Sequence, residues 1–215
     1  MFYTTAANDH GLPRDPFKAI VAPRPIGWIT SASAAGEINL APYSFFNAVS
    51  EHPPMVMFSS GGAKDTIAFV EETGEFVCNF ATFALREAMS TSGMEFPRGI
   101  NEMIEAGLDP APSRLVRPPR VAASPCALEC KLLQIVDLRD LEGRAAQRYV
   151  AFGQVVGIHI DDRFIKDGRL DTAAMAPLAR CGYSDYAVVN EVFPMARPRL
   201  PRHAAQSAVK PEAAE

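Results

Sequence analysis

Short apolar runs bounded by turn residues dominate the chain, and they predict strands more often than helices. Residues 25–31 (PIGWITS) read as one strand. Residues 55–59 (MVMFS), held between Pro-Pro and Gly-Gly, read as another. Residues 75–80 follow a turn at Thr73-Gly74. Two longer strands are expected over 127–137 and 148–161. In the second, Val150 and Phe152 share a face, and Val156, Ile158 and Ile160 repeat with the same parity. Glu129 and Asp137 show no evident partner and read as solvated strand positions. Helices are fewer: 65–73, closed by Gly74; about 82–92, with Thr82 as N-cap and Gly93 behind it; and roughly 100–106, before Gly107. Strands do not alternate regularly with helices, which argues against a doubly wound parallel sheet. A mainly β fold, an antiparallel barrel with peripheral helices, suits the pattern better.

Both ends depart from this pattern. Residues 1–16 are irregular, and the stretch after Pro194 is rich in Pro, Ala and charge without an apolar period. One domain is therefore expected over 17–198, with an N-terminal arm before it and a flexible tail over 199–215. A chain of 215 residues can bury a sizeable core. Its 48% hydrophobic and 21% charged residues are those of an ordinary globular enzyme. The formal net charge of -4 gives nucleic acid no long-range attraction, so any bound phosphate needs a local cluster of donors. The N-terminus has no basic start followed by an apolar run, and no apolar stretch is long enough to span a bilayer. The reading is a cytoplasmic protein with no membrane contact. Cys78, Cys126, Cys130 and Cys181 contain no CxxC pair, and a metal site is not expected. They read as reduced, mostly buried thiols.

The chemistry concentrates in residues 23–66. No GxGxxG follows a strand, and GGAKDT at 61–66 lacks the GxxxxGK[ST] spacing of a triphosphate loop. HExxH and GxSxG are also missing. What remains is a helix start, Lys64-Asp65-Thr66, whose free N–H groups and partial positive charge suit a phosphate. Arg24 and Lys64 can add charge, and Ser59, Ser60 and Thr66 can add hydroxyl donors. Asn39, Ser44 and Asn47 punctuate an extended stretch with Tyr43, Phe45 and Phe46. A planar aromatic ligand could lie along the backbone from Ala41 through Pro42 to Asn47. His159, alone among alternating apolar residues, reads either as a structural histidine or as a catalytic group beside a reduced ring.

The ordered string PRPIGWITS, NLAPYSFFN, SEHPP and KDT resembles the flavin-reductase-like family of flavin mononucleotide (FMN) proteins with a split β-barrel. EFVCN at 75–79, FGQVVGIH at 152–159 and PLARCGY at 177–183 extend the resemblance, so that it covers about 17–198. It implies a homodimer with FMN in a groove at or near the subunit interface. The phosphate would lie at 59–66 and the isoalloxazine along 41–47. Thr30, Ser31 and Ala32 would sit close to the ribityl chain or ring, and Arg180 and Tyr183 would complete the pocket from the same or the partner subunit. Cys181 departs from the larger apolar residue common there. The activity implied is an oxidoreductase passing electrons from NADH or NADPH through FMN to an acceptor, with a monooxygenase as a candidate partner. An electron carrier or redox sensor without free-standing reductase activity is the alternative. The sequence has no nicotinamide fingerprint to separate the two.

Overall fold

The strand-rich pattern folds as a mainly β architecture in the computed structural model, which describes residues 1–198; the expected tail at 199–215 lies outside the described residues. In chain order, α1 (Phe17–Ile20) precedes β1 (Arg24–Pro25), β2 (Gly27–Ala32), β3 (Ile38–Tyr43), β4 (Phe46–Glu51) and β5 (Pro54–Gly61). Next come α2 (Asp65–Thr73), β6 (Glu75–Phe80), α3 (Arg86–Thr91), α4 (Glu102–Glu105) and a short pair, β7 (Pro110–Ala111) and β8 (Arg120–Val121). The long hairpin β9 (Cys126–Arg139) and β10 (Ala145–Ile160) follows. The small elements β11 (Ile165–Lys166), β12 (Arg169–Leu170), α5 (Thr172–Met175), β13 (Leu178–Arg180) and β14 (Tyr186–Val188) come last.

Seven strands form one antiparallel sheet in the order β3-β2-β6-β9-β10-β5-β4. Its outermost strands, β3 and β4, are consecutive in the chain. Tyr43 from one edge and Phe46 from the other pack against the same buried cluster of Ile29, Phe58, Phe76 and Val155. The sheet therefore curls toward closure, and Ser44-Phe45 bridges its two edges. Ile67 and Val70 of α2 enter that cluster as well, so the helix plugs the curled sheet. Burying each such side chain stabilises the fold by about 1.5–3 kcal/mol. The register fixes the position of α2's first turn, and with it the site described below.

The sheet's other face packs Trp28 and Leu40 against Met89 of α3 and Met103 of α4. The Trp28 indole N–H donates to Ser92 Oγ at 2.8 Å. A short side chain thus ties the barrel to the loop that follows α3.

The expected elements appear with three adjustments. Residues 82–92 divide into a tight turn at Phe83–Leu85 and then α3; Thr82 makes no side-chain cap but bridges Pro177 instead. The third helix is the single turn α4, capped by Asn101, whose side chain accepts from the Met103 N–H at 3.0 Å. In β10, register shifts at Phe152/Gly153 and Val155/Gly157 break the even parity read from the sequence. Val150, Ala151 and Val155 are buried, while Ile158 and Ile160 stay exposed. Cys78, Cys126 and Cys130 are buried free thiols, and Cys181 is half-buried. Among the described residues no helix is long and apolar enough to cross a membrane.

Candidate functional site

β3, the end of β5, the first turn of α2 and the loop after α3 surround an open cleft of about 640 Å³. It brings together eight residues singled out in the sequence: Asn39, Ala41, Pro42, Tyr43, Ser60, Lys64, Asp65 and Thr66. Lys64 occupies the N-cap position of α2 yet makes no side-chain cap, so the helix presents its first N–H groups uncapped. The Thr66 hydroxyl donates to Asn39 Oδ1 at 2.6 Å, fixing helix start to strand in a buried contact. Tyr43 sits beside Thr66 and Ser60, and burial raises its phenol pKa above the ordinary value. The phenol therefore stays protonated at neutral pH and can donate.

The cleft also holds groups that sequence reasoning missed. Arg148 of β10 pairs in register with Gly61 of β5, and its guanidinium lies over that glycine. A Cβ at Gly61 would come within 2.6 Å of Arg148 Nη1, so the missing side chain is what lets the cation lie there. Arg98 contributes from the loop before α4. Glu102, largely buried, uses its carboxylate to accept the Leu40 N–H at 2.9 Å on the edge strand β3. Lys64 and Arg98 pair with Glu95 and Asp65 at 3.5 and 3.8 Å. Exposed pairs of this kind contribute only about 0–1 kcal/mol, and an incoming phosphate can displace them. No local motif marked Arg148 or Arg98. Only the pairing of β10 with β5 and the path of the loop after α3 bring them to α2.

A smaller recess of about 160 Å³ opens on the other side of Pro42, lined by Arg24, Ser44, Arg180 and Tyr183 together with Lys18 and Tyr186. Twelve of the predicted residues thus fall into two adjoining groups that share Pro42.

Residues 21–173 match the family described as flavin reductase like domain. The chain belongs to that family. Among solved structures, 2-nitrobenzoate 2-nitroreductase of Pseudomonas fluorescens is 29% identical, with a TM-score of 0.81 over 94% of this chain and 98% of that one. Nitrilotriacetate monooxygenase component B from Bacillus cereus is 28% identical, with a TM-score of 0.80 over 91% and 98%. A split barrel domain protein from Shewanella frigidimarina, 18% identical with a TM-score of 0.80 over 92% and 100%, has the same fold. The curled sheet is therefore a split β-barrel, and a flavin-related redox function follows from the family.

The residues of this flavin reductase like protein fit a flavin phosphate. The larger cleft offers an uncapped helix start, three cations and several hydroxyls, and Ser31 Oγ is buried with no hydrogen-bond partner on the strand beside Asn39. Ser31 and the other predicted residues line neither cavity. Thr30 is fully buried, its hydroxyl accepting from the Asn79 amide at 2.8 Å, and Ala32 is buried nearby on β2. Phe45 is half-buried, its ring 5.7 Å from the Arg24 guanidinium carbon. Asn47 is exposed and accepts from the Ala48 N–H at 2.9 Å, and Ser59 is held by its N–H to the Phe45 carbonyl at 2.8 Å.

His159 is likewise not brought to either cavity. Its Nε2 meets Glu129 Oε1, and Glu129 also accepts the N–H groups of Arg114 and Leu115 at 2.8 and 2.6 Å. Glu129 is fully buried, which corrects its reading as a solvated position. Burial alone would raise its pKa, but the hydrogen bonds from His159, Arg114 and Leu115 outweigh that and lower it. The pair ties the loop before β8 to the β9–β10 hairpin. Asp137 is exposed as expected, beside Arg139 at 3.5 Å.

Proposed function

We propose that this protein binds FMN and passes electrons from NADH or NADPH, through FMN, to an acceptor. One observation carries the cofactor: the uncapped start of α2 opens into a cleft that also gathers Lys64, Arg98 and Arg148. That donor set suits a phosphate monoester. In this reading Ser60, Lys64, Asp65, Thr66 and Arg148 hold the phosphate end. Asn39, Ala41, Pro42 and Tyr43 face the ribityl chain and ring. When bound, the flavin supplies the hydride and electron chemistry, and the chain's own part is binding and orientation. Tyr43, a neutral phenol, can donate to a polar edge of the ligand without carrying charge.

The reading extends to a cytoplasmic homodimer. Ile158 and Ile160 lie exposed two residues apart on β10, apolar side chains that a second copy would cover. Nitrilotriacetate monooxygenase component B is named as a component of a monooxygenase, which supports a monooxygenase as acceptor here. The nitroreductase relative supports a small nitroaromatic acceptor instead. Anaerobic titration of the FMN-loaded protein with NADH and with NADPH tests the electron donor. Flavin absorbance is expected to bleach with at least one nucleotide. If saturating amounts of both leave it unchanged while FMN stays bound through gel filtration, the protein is a carrier or sensor rather than a reductase.

A further inference from the structure

We propose that the recess around Arg24 is a binding site for a small aromatic carboxylate, separate from the FMN cleft. Calling it the seat of an electron acceptor rests on the function proposed above, whereas the binding itself does not.

Arg24 is only 6% exposed. One terminal nitrogen donates to the Lys18 carbonyl at 2.6 Å and to the Val21 carbonyl, and the other to the Cys181 carbonyl at 2.9 Å. All three acceptors are neutral, and Nε has no hydrogen-bond partner. Among the described residues no carboxylate lies within ion-pair distance of Arg24, Lys18 or Arg180. A buried guanidinium is ordinarily paired, because an uncompensated buried charge is costly. Here three cations line one recess and no acidic residue does, although the chain's net charge is -4.

The recess is held in shape by the fold. Arg180 donates to the Tyr183 carbonyl at 2.5 Å, and its guanidinium carbon lies 4.5 Å from the centre of the Tyr186 ring. Tyr183 has φ +56, a left-handed conformation that bulky residues avoid unless their surroundings hold them there. Gly182 supplies the hold. A Cβ on it would come within 2.4 Å of Ala19 Cβ, so the turn carrying Tyr183 lies directly against the helix carrying Lys18. Guanidinium groups match a carboxylate, and the tyrosine rings with Ile26 and Met89 match a planar apolar body. The volume of about 160 Å³ admits one ring and excludes a dinucleotide.

Calorimetric titration of the FMN-loaded protein with benzoate, benzamide and acetate tests the site. Benzoate is expected to bind saturably, about tenfold or more tighter than the neutral benzamide or the ringless acetate. Lys18→Gln should weaken benzoate by about tenfold while FMN content stays that of the wild type. Absence of saturable benzoate binding, or equal affinity for benzamide, would overturn the inference. Loss of FMN together with benzoate in Lys18→Gln would assign the recess to the cofactor and overturn it too. Benzoate binding with this variant dependence in a protein that holds no FMN would leave the site standing and remove the flavin reading.

Discussion

Glu129 shows how far one residue's meaning depends on what packs against it. On a strand diagram it is an acid among apolar neighbours; in the fold it is a buried acceptor for His159 and two backbone N–H groups. Its depressed pKa makes it a source of stability at neutral pH. That contribution is present above the ordinary carboxyl value of 4.5 and is lost as pH falls through the lowered folded value. Replacing Glu129 with Ala leaves His159 and two N–H groups without their acceptor, which should cost about 3 kcal/mol. Thermal melts at pH 7 should show Tm lower by about 6–12 °C. The variant should also lose less further stability than the wild type between pH 5 and pH 3. A Tm within 1–2 °C of the wild type would mean the network contributes little. The sequence hid this partnership because the N–H donors come from a loop 14–15 positions away, and loop paths leave no periodic trace.

At the scale of elements, the strands and α2 were readable because apolar runs ended at residues with clear turn chemistry. Residues 75–80 and 65–73 fold with the bounds the sequence implies, since Gly74 in a left-handed conformation separates them. The parity of β10 was not readable, because the bulges that break it depend on its partner strand. The same holds for the cleft. Its β3 and α2 walls were legible as a continuous string, whereas Arg98, Arg148 and Glu102 arrive through tertiary pairing. One link across elements offers a readout. Trp28, the only tryptophan, donates to Ser92, which lines the cleft. Titrating the apoprotein with FMN should therefore quench tryptophan emission saturably. Emission that stays constant while FMN binds would place the ligand elsewhere.

For the whole molecule, the split barrel explains why two distinct cavities adjoin. The sheet's edges, β3 and β4, meet at Ser44-Phe45, and Pro42 stands between a cleft built on α2 and a recess built on the chain's N-terminal helix and its β13–β14 turn. The family and its neighbours share the barrel. The central claim is that the α2 cleft holds the phosphate of FMN. Equilibrium titration of the apoprotein with FMN and with riboflavin, which lacks that phosphate, tests it most directly. FMN should bind about 100-fold or more tighter than riboflavin, as several charge-assisted hydrogen bonds imply. Replacing Lys64 and Arg148 together with Met should remove most of that difference. Riboflavin binding as tightly as FMN, or full FMN affinity in the double variant, would contradict the assignment.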